Sequence, residues 1–224
     1  MKYSYFPTSR NGFVLKFATV ILFTGSLFCS QQSTAEQTSW FVSGQIGSAS
    51  TDISTKSLTS SLNEQGALID SVSVKDSDTG YQAAIGYKFN ANYSLQVGYV
   101  DFGERHFSFT GEVTDLDNFH GAMKQIYPES ATGPQISLLA SWPITKEISL
   151  TGKLGYLDWH QNYQYQADSS QLYKAKRSGN SVTFGIEASF ALFKNTQIFL
   201  SYDHAALDAT DASMLSIGAR YYFD

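Results

Sequence analysis

Lys153, Glu187 and Arg220 are the charges in this 224-residue chain whose surroundings say most about chemistry. Each falls in a stretch where apolar and polar residues alternate, and each takes a polar position. Two cations and a carboxylate on one face of neighbouring strands make an ionic network. The expectation is that Glu187 bridges Lys153, Arg220 or both, with Gln45 and Gln96 beside it. Such a network either gates a narrow passage or holds a packed interior together. Histidine is the next reactive type. His106, His120, His160 and His204 fall in expected connections or at their mouths. A metal site needs several such groups close together with carboxylates. Asp158 and Asp203-His204 are the nearest candidates, and their spacing matches no zinc pattern. Ester chemistry needs a serine nucleophile beside a histidine and a carboxylate. Here Ala205 and Ala206 follow His204, and Ser213 approaches only if folding brings it there. No phosphate-binding loop or cofactor motif stands out. The reading therefore expects no catalytic residue, no metal and no cofactor.

The start of the chain reads as an export signal. Lys2, Arg10 and Lys16 supply a positive region ahead of an apolar run at 17–28. That run is shorter than the ~20 residues a membrane-spanning helix needs. Ser33-Thr34-Ala35 is a small-residue cleavage site, so 1–35 is taken as signal and 36–224 as one mature domain. Cys29 leaves with the signal, because Phe28 is too large to precede a lipidated cysteine. The mature part then has no thiol for a disulfide or a metal. Removing three of the 15 basic residues leaves 12 against 20 acidic ones, a net charge of −8. That balance argues against nucleic acid as a partner, since phosphate binding rests on Lys and Arg.

The elements that must position these residues show period-two patterning. Alternating segments run over 40–47, 80–89, 93–102, 134–142, 148–159, 181–192, 196–203 and 213–223. One face carries residues such as Val42, Ile85, Leu95, Leu138, Leu150, Ile186, Leu200 and Ile217. The other carries Ser43, Gln82, Gln135, Ser137, Thr151, Thr183 and Ser201. Connections at 90–92, 143–147 and 193–195 are short, whereas 47–79, 103–133, 160–180 and 204–212 are longer. Short inner turns and long outer loops mark a transmembrane barrel with an even number of strands. Two features set the apolar face outward. The polar face holds Ser, Thr, Gln and Gly rather than the Lys and Glu of a water-facing surface. Aromatics also gather at segment ends (Trp40, Tyr87, Phe89, Tyr93, Tyr99, Trp142, Tyr156, Trp159, Tyr202, Tyr221 and Phe223), as two interfacial girdles require. The fold expected is all-β, an eight-stranded antiparallel up-and-down transmembrane β-barrel.

The last strand has the order polar, any, Gly, any, any, aromatic, any, aromatic: Ser216-Ile217-Gly218-Ala219-Arg220-Tyr221-Tyr222-Phe223. It resembles the C-terminal signal read by the barrel assembly machinery of Gram-negative bacteria, with Ser216, Gly218, Tyr221 and Phe223 at the defining positions. Asp224 after the aromatic departs from that pattern. Gly98-Tyr99-Val100-Asp101-Phe102 and Gly155-Tyr156-Leu157-Asp158-Trp159 form a repeated element at the outer ends of two strands. With the segments above, the chain resembles the OmpA-like transmembrane domain family over 40–223. The resemblance implies an outer-membrane location, a lumen plugged by ionic residues, and a barrel-only member without a wall-tethering domain. It also implies a non-enzymatic, structural or adhesive role for a monomer. The implied partners are outer-membrane lipid, lipopolysaccharide, the assembly machinery during insertion, and a host or surface receptor reached through the outer loops. A narrow passive pore and a lipid A-modifying enzyme are the alternatives.

Overall fold

The computed structural model describes residues 39–51, 67–75, 77–103, 106–113, 131–168, 171–207 and 211–223. The signal expected at 1–35, its cleavage site and His120 lie outside them. Ten strands follow in chain order: β1 (Ser39–Thr51), β2 (Ala67–Lys75), β3 (Ser77–Lys88), β4 (Tyr93–Asp101) and β5 (His106–Val113), then β6 (Thr132–Pro143), β7 (Ile148–Asp168), β8 (Gln171–Phe193), β9 (Thr196–Ala206) and β10 (Asp211–Tyr222). Among the described residues, eight of them close into a barrel in the order β1-β10-β9-β8-β7-β6-β4-β3. Every barrel neighbour is antiparallel. Closure pairs the last strand with the first, so Val42 lies opposite Tyr221 and no free edge remains in this sheet.

Side-chain parity follows the sequence pattern. Leu150, Ile186 and Ile217 point outward and are 38%, 52% and 62% exposed. Lys153, Glu187 and Arg220 point to the axis and are buried. A closed ladder satisfies the backbone, and lipid takes the place of a second packing layer on the apolar face. No helix of the described residues is long and apolar enough to cross a membrane, which says nothing of crossing by strands. At the inner end, Asn90 Oδ1 accepts hydrogen bonds from the backbone N–H of Asn92 and Tyr93, at 2.9 and 2.8 Å. Thr145 Oγ1 likewise accepts from Glu147 and Ile148, at 3.1 and 3.0 Å. These side chains stand in for ladder partners where the chain reverses.

The outer ends depart from the expected loops. Residues 160–168 and 171–180 continue as strand: the β7–β8 ladder runs from Ile148↔Phe190 out to Asp168↔Gln171. The alternation there is carried by tyrosines between polar residues rather than by the aliphatic residues of the barrel strands. The ladder and the strand preference of Tyr163, Tyr165 and Tyr173 still carry the hairpin. The connections at 47–79 and 103–133 also hold strands. β2 and β5 pair as a separate two-stranded sheet, with Val74 opposite Phe107 and Val72 opposite Phe109. Gly103 marks the break between the β3–β4 ladder and this outer sheet. Its φ is +75°, and its N–H donates to Asp101 Oδ1 at 2.7 Å. A side chain there would be strained by the left-handed backbone and crowded by Thr79 O.

Candidate functional site

The lumen is filled in tiers. At the inner end Arg220 Nη1 donates to Glu187 Oε1 at 2.8 Å, and Nη2 donates to Oε2 at 2.9 Å. Glu187 is 1% exposed and Arg220 3%. The rings of Phe41 and Phe199 lie 5.2 and 5.0 Å from the guanidinium carbon. A fork-to-fork ion pair with aromatic faces on the cation suits a delocalised guanidinium and no other side chain. Two glycines make room. A Cβ at Gly86 would run into the Phe41 ring, and one at Gly218 into the Phe199 ring.

The middle tier centres on Asp203. Lys153 Nζ lies 2.6 Å from Asp203 Oδ1 and donates to Ser201 Oγ at 2.8 Å. Ser201 Oγ and Gln45 Nε2 both donate to Asp203 Oδ2, the latter at 2.8 Å. A Cβ at Gly185 would press on Asp203 and Lys153, so this glycine opens the space for the pair. Beside it Gln82 Nε2 donates to Gln135 Oε1 at 2.6 Å, and Gln135 Nε2 to Thr183 Oγ1 at 2.6 Å. Gln96 is buried, but its Oε1 has no partner among the described residues.

The expected trio thus falls into two separate clusters. Glu187 meets Arg220, whereas Lys153 takes Asp203. Asp203 entered the sequence reading only beside His204, as a rim residue. Strand parity carries the missing signal: Phe199, Ser201 and Asp203 share one face of β9.

The outer tier is apolar. Val100, Phe102, Leu157, Trp159, Ala205, Leu207 and Met214 form one buried cluster with nearby alanines. Trp159 Nε1 donates to Ser181 Oγ at 3.0 Å. This corrects the girdle, because Trp159 is an axis-facing plug residue and not an interfacial anchor. Its physical reason is parity: Gly155, Leu157 and Trp159 alternate on the inward face of β7. The repeated element therefore has a packing role. In each copy the glycine and the third and fifth residues turn inward, and the tyrosine turns outward.

On the last strand, Ser216 and Gly218 face the axis, whereas Tyr221 and Phe223 face outward with ring centroids 5.2 Å apart. Phe223 N–H donates to Trp40 O at 2.8 Å, tying the end of the chain to its first strand.

Among the described residues the histidines do not gather. His106 lies in β5 and His160 at the outer part of β7. Among the described residues no three His, Cys, Asp or Glu groups are placed to hold a metal. His204 faces outward near the end of β9, and the fold brings Ser213 to it. Its Nδ1 is 3.1 Å from Ser213 Oγ, and its Nε2 is 3.6 Å from Asp211 Oδ2.

The family model for the OmpA-like transmembrane domain matches residues 35–224. No curated relative matches the chain by sequence. Among solved structures it is similar to Ail, the attachment invasion locus protein of Yersinia pestis. That match has 18% identity, covers 84% of this chain and 99% of the other, and has a TM-score of 0.47. It is also similar to Neisserial surface protein A, with 12% identity, coverage of 84% and 100%, and a TM-score of 0.45. OprG from Pseudomonas aeruginosa gives 13%, 84%, 97% and 0.45 in the same order. At such identities none of the three bears on what this chain binds or does. The barrel, its outward apolar face and the match over all of the strands have one conclusion: the chain belongs to the OmpA-like transmembrane domain family and is an outer-membrane β-barrel.

Proposed function

We propose that the protein is a sealed, monomeric scaffold in a Gram-negative outer membrane that displays its outer hairpins for a structural or adhesive role. The observation that carries this reading is the filled lumen. The Arg220–Glu187 pair, the Asp203 cluster and the Trp159 plug lie on the axis at successive levels. Eight strands enclose little more than their own side chains, and here the inward charges Arg220, Glu187, Lys153 and Asp203 are paired with one another. Neither solute passage nor chemistry in the lumen fits such a filling. What remains available to partners is the outer end, where β7–β8 and β2–β5 extend past the barrel. Loops on a rigid barrel are the usual place for recognition. The partners in this reading are outer-membrane lipid, lipopolysaccharide, and a host or surface receptor. The signal at 1–35 delivers the chain, and the last strand, through Ser216, Gly218, Tyr221 and Phe223, recruits the assembly machinery.

The test uses cells that express the full chain or a form with 161–178 replaced by a two-residue turn. Binding of intact cells to epithelial monolayers is expected to rise with the full chain and to fall to background with the shortened hairpin. Equal binding by both forms and by empty cells would sink the adhesive reading. In planar bilayers the purified protein is expected to give no discrete current steps. Regular steps would favour the passive pore instead.

A further inference from the structure

We propose that Ser213, His204 and Asp211, with Tyr202 beside them, form an ester-hydrolysing site on the outer wall of the barrel, taking an acyl ester of a membrane lipid. This goes beyond the scaffold role, which does not depend on it. His204 and Ser213 are register partners on β9 and β10, and both side chains lie on the lipid-facing parity shared by Tyr202 and Leu215. Ser213 Oγ is 3.1 Å from His204 Nδ1. On the far side of the ring, Nε2 stands 3.6 Å from the Asp211 carboxylate, an ion-pair separation. A carboxylate there favours the proton on Nε2, which leaves Nδ1 free to accept one from the serine. Tyr202 donates its hydroxyl hydrogen to Ser213 Oγ at 3.0 Å. It thus orients the serine oxygen and leaves the serine hydrogen to point at His204.

Position fits the substrate. His204 is close to the end of β9 and Asp211 opens β10, so the group sits where the barrel leaves the hydrocarbon. Lipid ester bonds lie at that boundary. The Phe184 ring packs on His204 with centroids 4.5 Å apart, and Val182, Tyr202 and Leu215 continue an exposed apolar track along the wall.

The reaction needs only water as co-reactant. Ser213 Oγ attacks the ester carbonyl carbon as its proton passes to His204 Nδ1. The ester C–O bond breaks, the leaving alkoxide takes that proton, and the acyl group stays on Ser213. Water then attacks the acyl carbon, giving a proton to His204. The Ser213–acyl bond breaks, the serine recovers its proton, and a fatty acid leaves.

The test uses the refolded full mature chain in proteoliposomes. Its substrates are a p-nitrophenyl acyl ester, phospholipid vesicles, and vesicles carrying lipopolysaccharide, with a fluorophosphonate as the label for an activated serine. The expected result is fatty-acid release together with a label on the Ser213 peptide. Whichever vesicle releases acid identifies the lipid. Ser213→Ala and His204→Asn are expected to lower release at least about 100-fold, the lower end of what a positioned base contributes. Asp211 acts as a positioning residue, so Asp211→Asn should lose release and Asp211→Glu should restore it in part. Heat-modifiable gel mobility reports whether each variant has folded. Absence of release from all three substrates overturns the proposal. So does release without label on Ser213, or release that survives in Ser213→Ala.

Discussion

Arg220 is held by charge and by shape at once. Its two terminal nitrogens meet both oxygens of Glu187, and its flat faces meet Phe41 and Phe199. Removing one partner leaves a desolvated charge with nothing to answer it. Glu187→Gln is therefore expected to cost about 3–5 kcal/mol, and a double replacement by apolar residues of similar volume to recover most of that. Urea unfolding in detergent micelles would measure both, and an unchanged midpoint for the single variant would contradict the pairing. The aromatic seats make a separate prediction. A methyl at Gly86 has no room beside the Phe41 ring, so Gly86→Ala is expected to lose about 1–3 kcal/mol by overpacking in the same assay. Gly44 on β1 faces outward with open space around its Cβ position, and alanine there should be close to neutral. The inward placement of Glu187 and Arg220 was readable from alternation alone. Which cation each carboxylate takes was not, because that depends on the stagger between strands, and single-strand patterning carries no stagger.

Each barrel strand has a lipid side and an axis side, and the two tolerate different changes. Ile186→Lys on β8 is expected to cost about 2–4 kcal/mol near the bilayer midplane, the depth-dependent penalty for a cation on the lipid face. The outer part of the β7–β8 hairpin pairs only within itself beyond His160. Replacing 161–178 by a tight turn should thus leave heat-modifiable gel mobility intact, with the far-ultraviolet strand signal falling only by the share of the strand removed; loss of heat-modifiability would show that the extension helps close the barrel. The same elements show what sequence could and could not locate. All eight barrel strands were legible, because lipid on one side and packed polar groups on the other write a period of two into the chain. The outer strands were harder. β2 and β5 do alternate, at Val72 and Val74 and at Phe107 and Phe109, but they sit in connections long enough to read as loops. The extension of β7 and β8 alternates tyrosine with polar residues and has few of the aliphatic residues that announce the barrel strands. The Trp159 plug was misread for a different reason: an aromatic near a strand end suits a girdle or a lumen equally, and only its parity with Gly155 and Leu157 separates the two.

At the scale of the molecule, closure couples these choices. Once β10 pairs with β1, every backbone ladder is complete, and each side chain must belong either to lipid or to the axis. The inner carboxylates Glu187 and Asp203 are answered by Arg220 and Lys153, so these four add no net charge to the interior. The division between lipid and axis is the claim on which the scaffold role and the outer-wall site both rest. The most direct measurement places single spin labels in turn at Val182, Thr183, Phe184 and Ile186, in the chain from Glu36, which has no other thiol. In phospholipid vesicles, oxygen should relax the labels at 182, 184 and 186 strongly and the one at 183 weakly. The opposite phase, or no alternation along β8, would contradict the account.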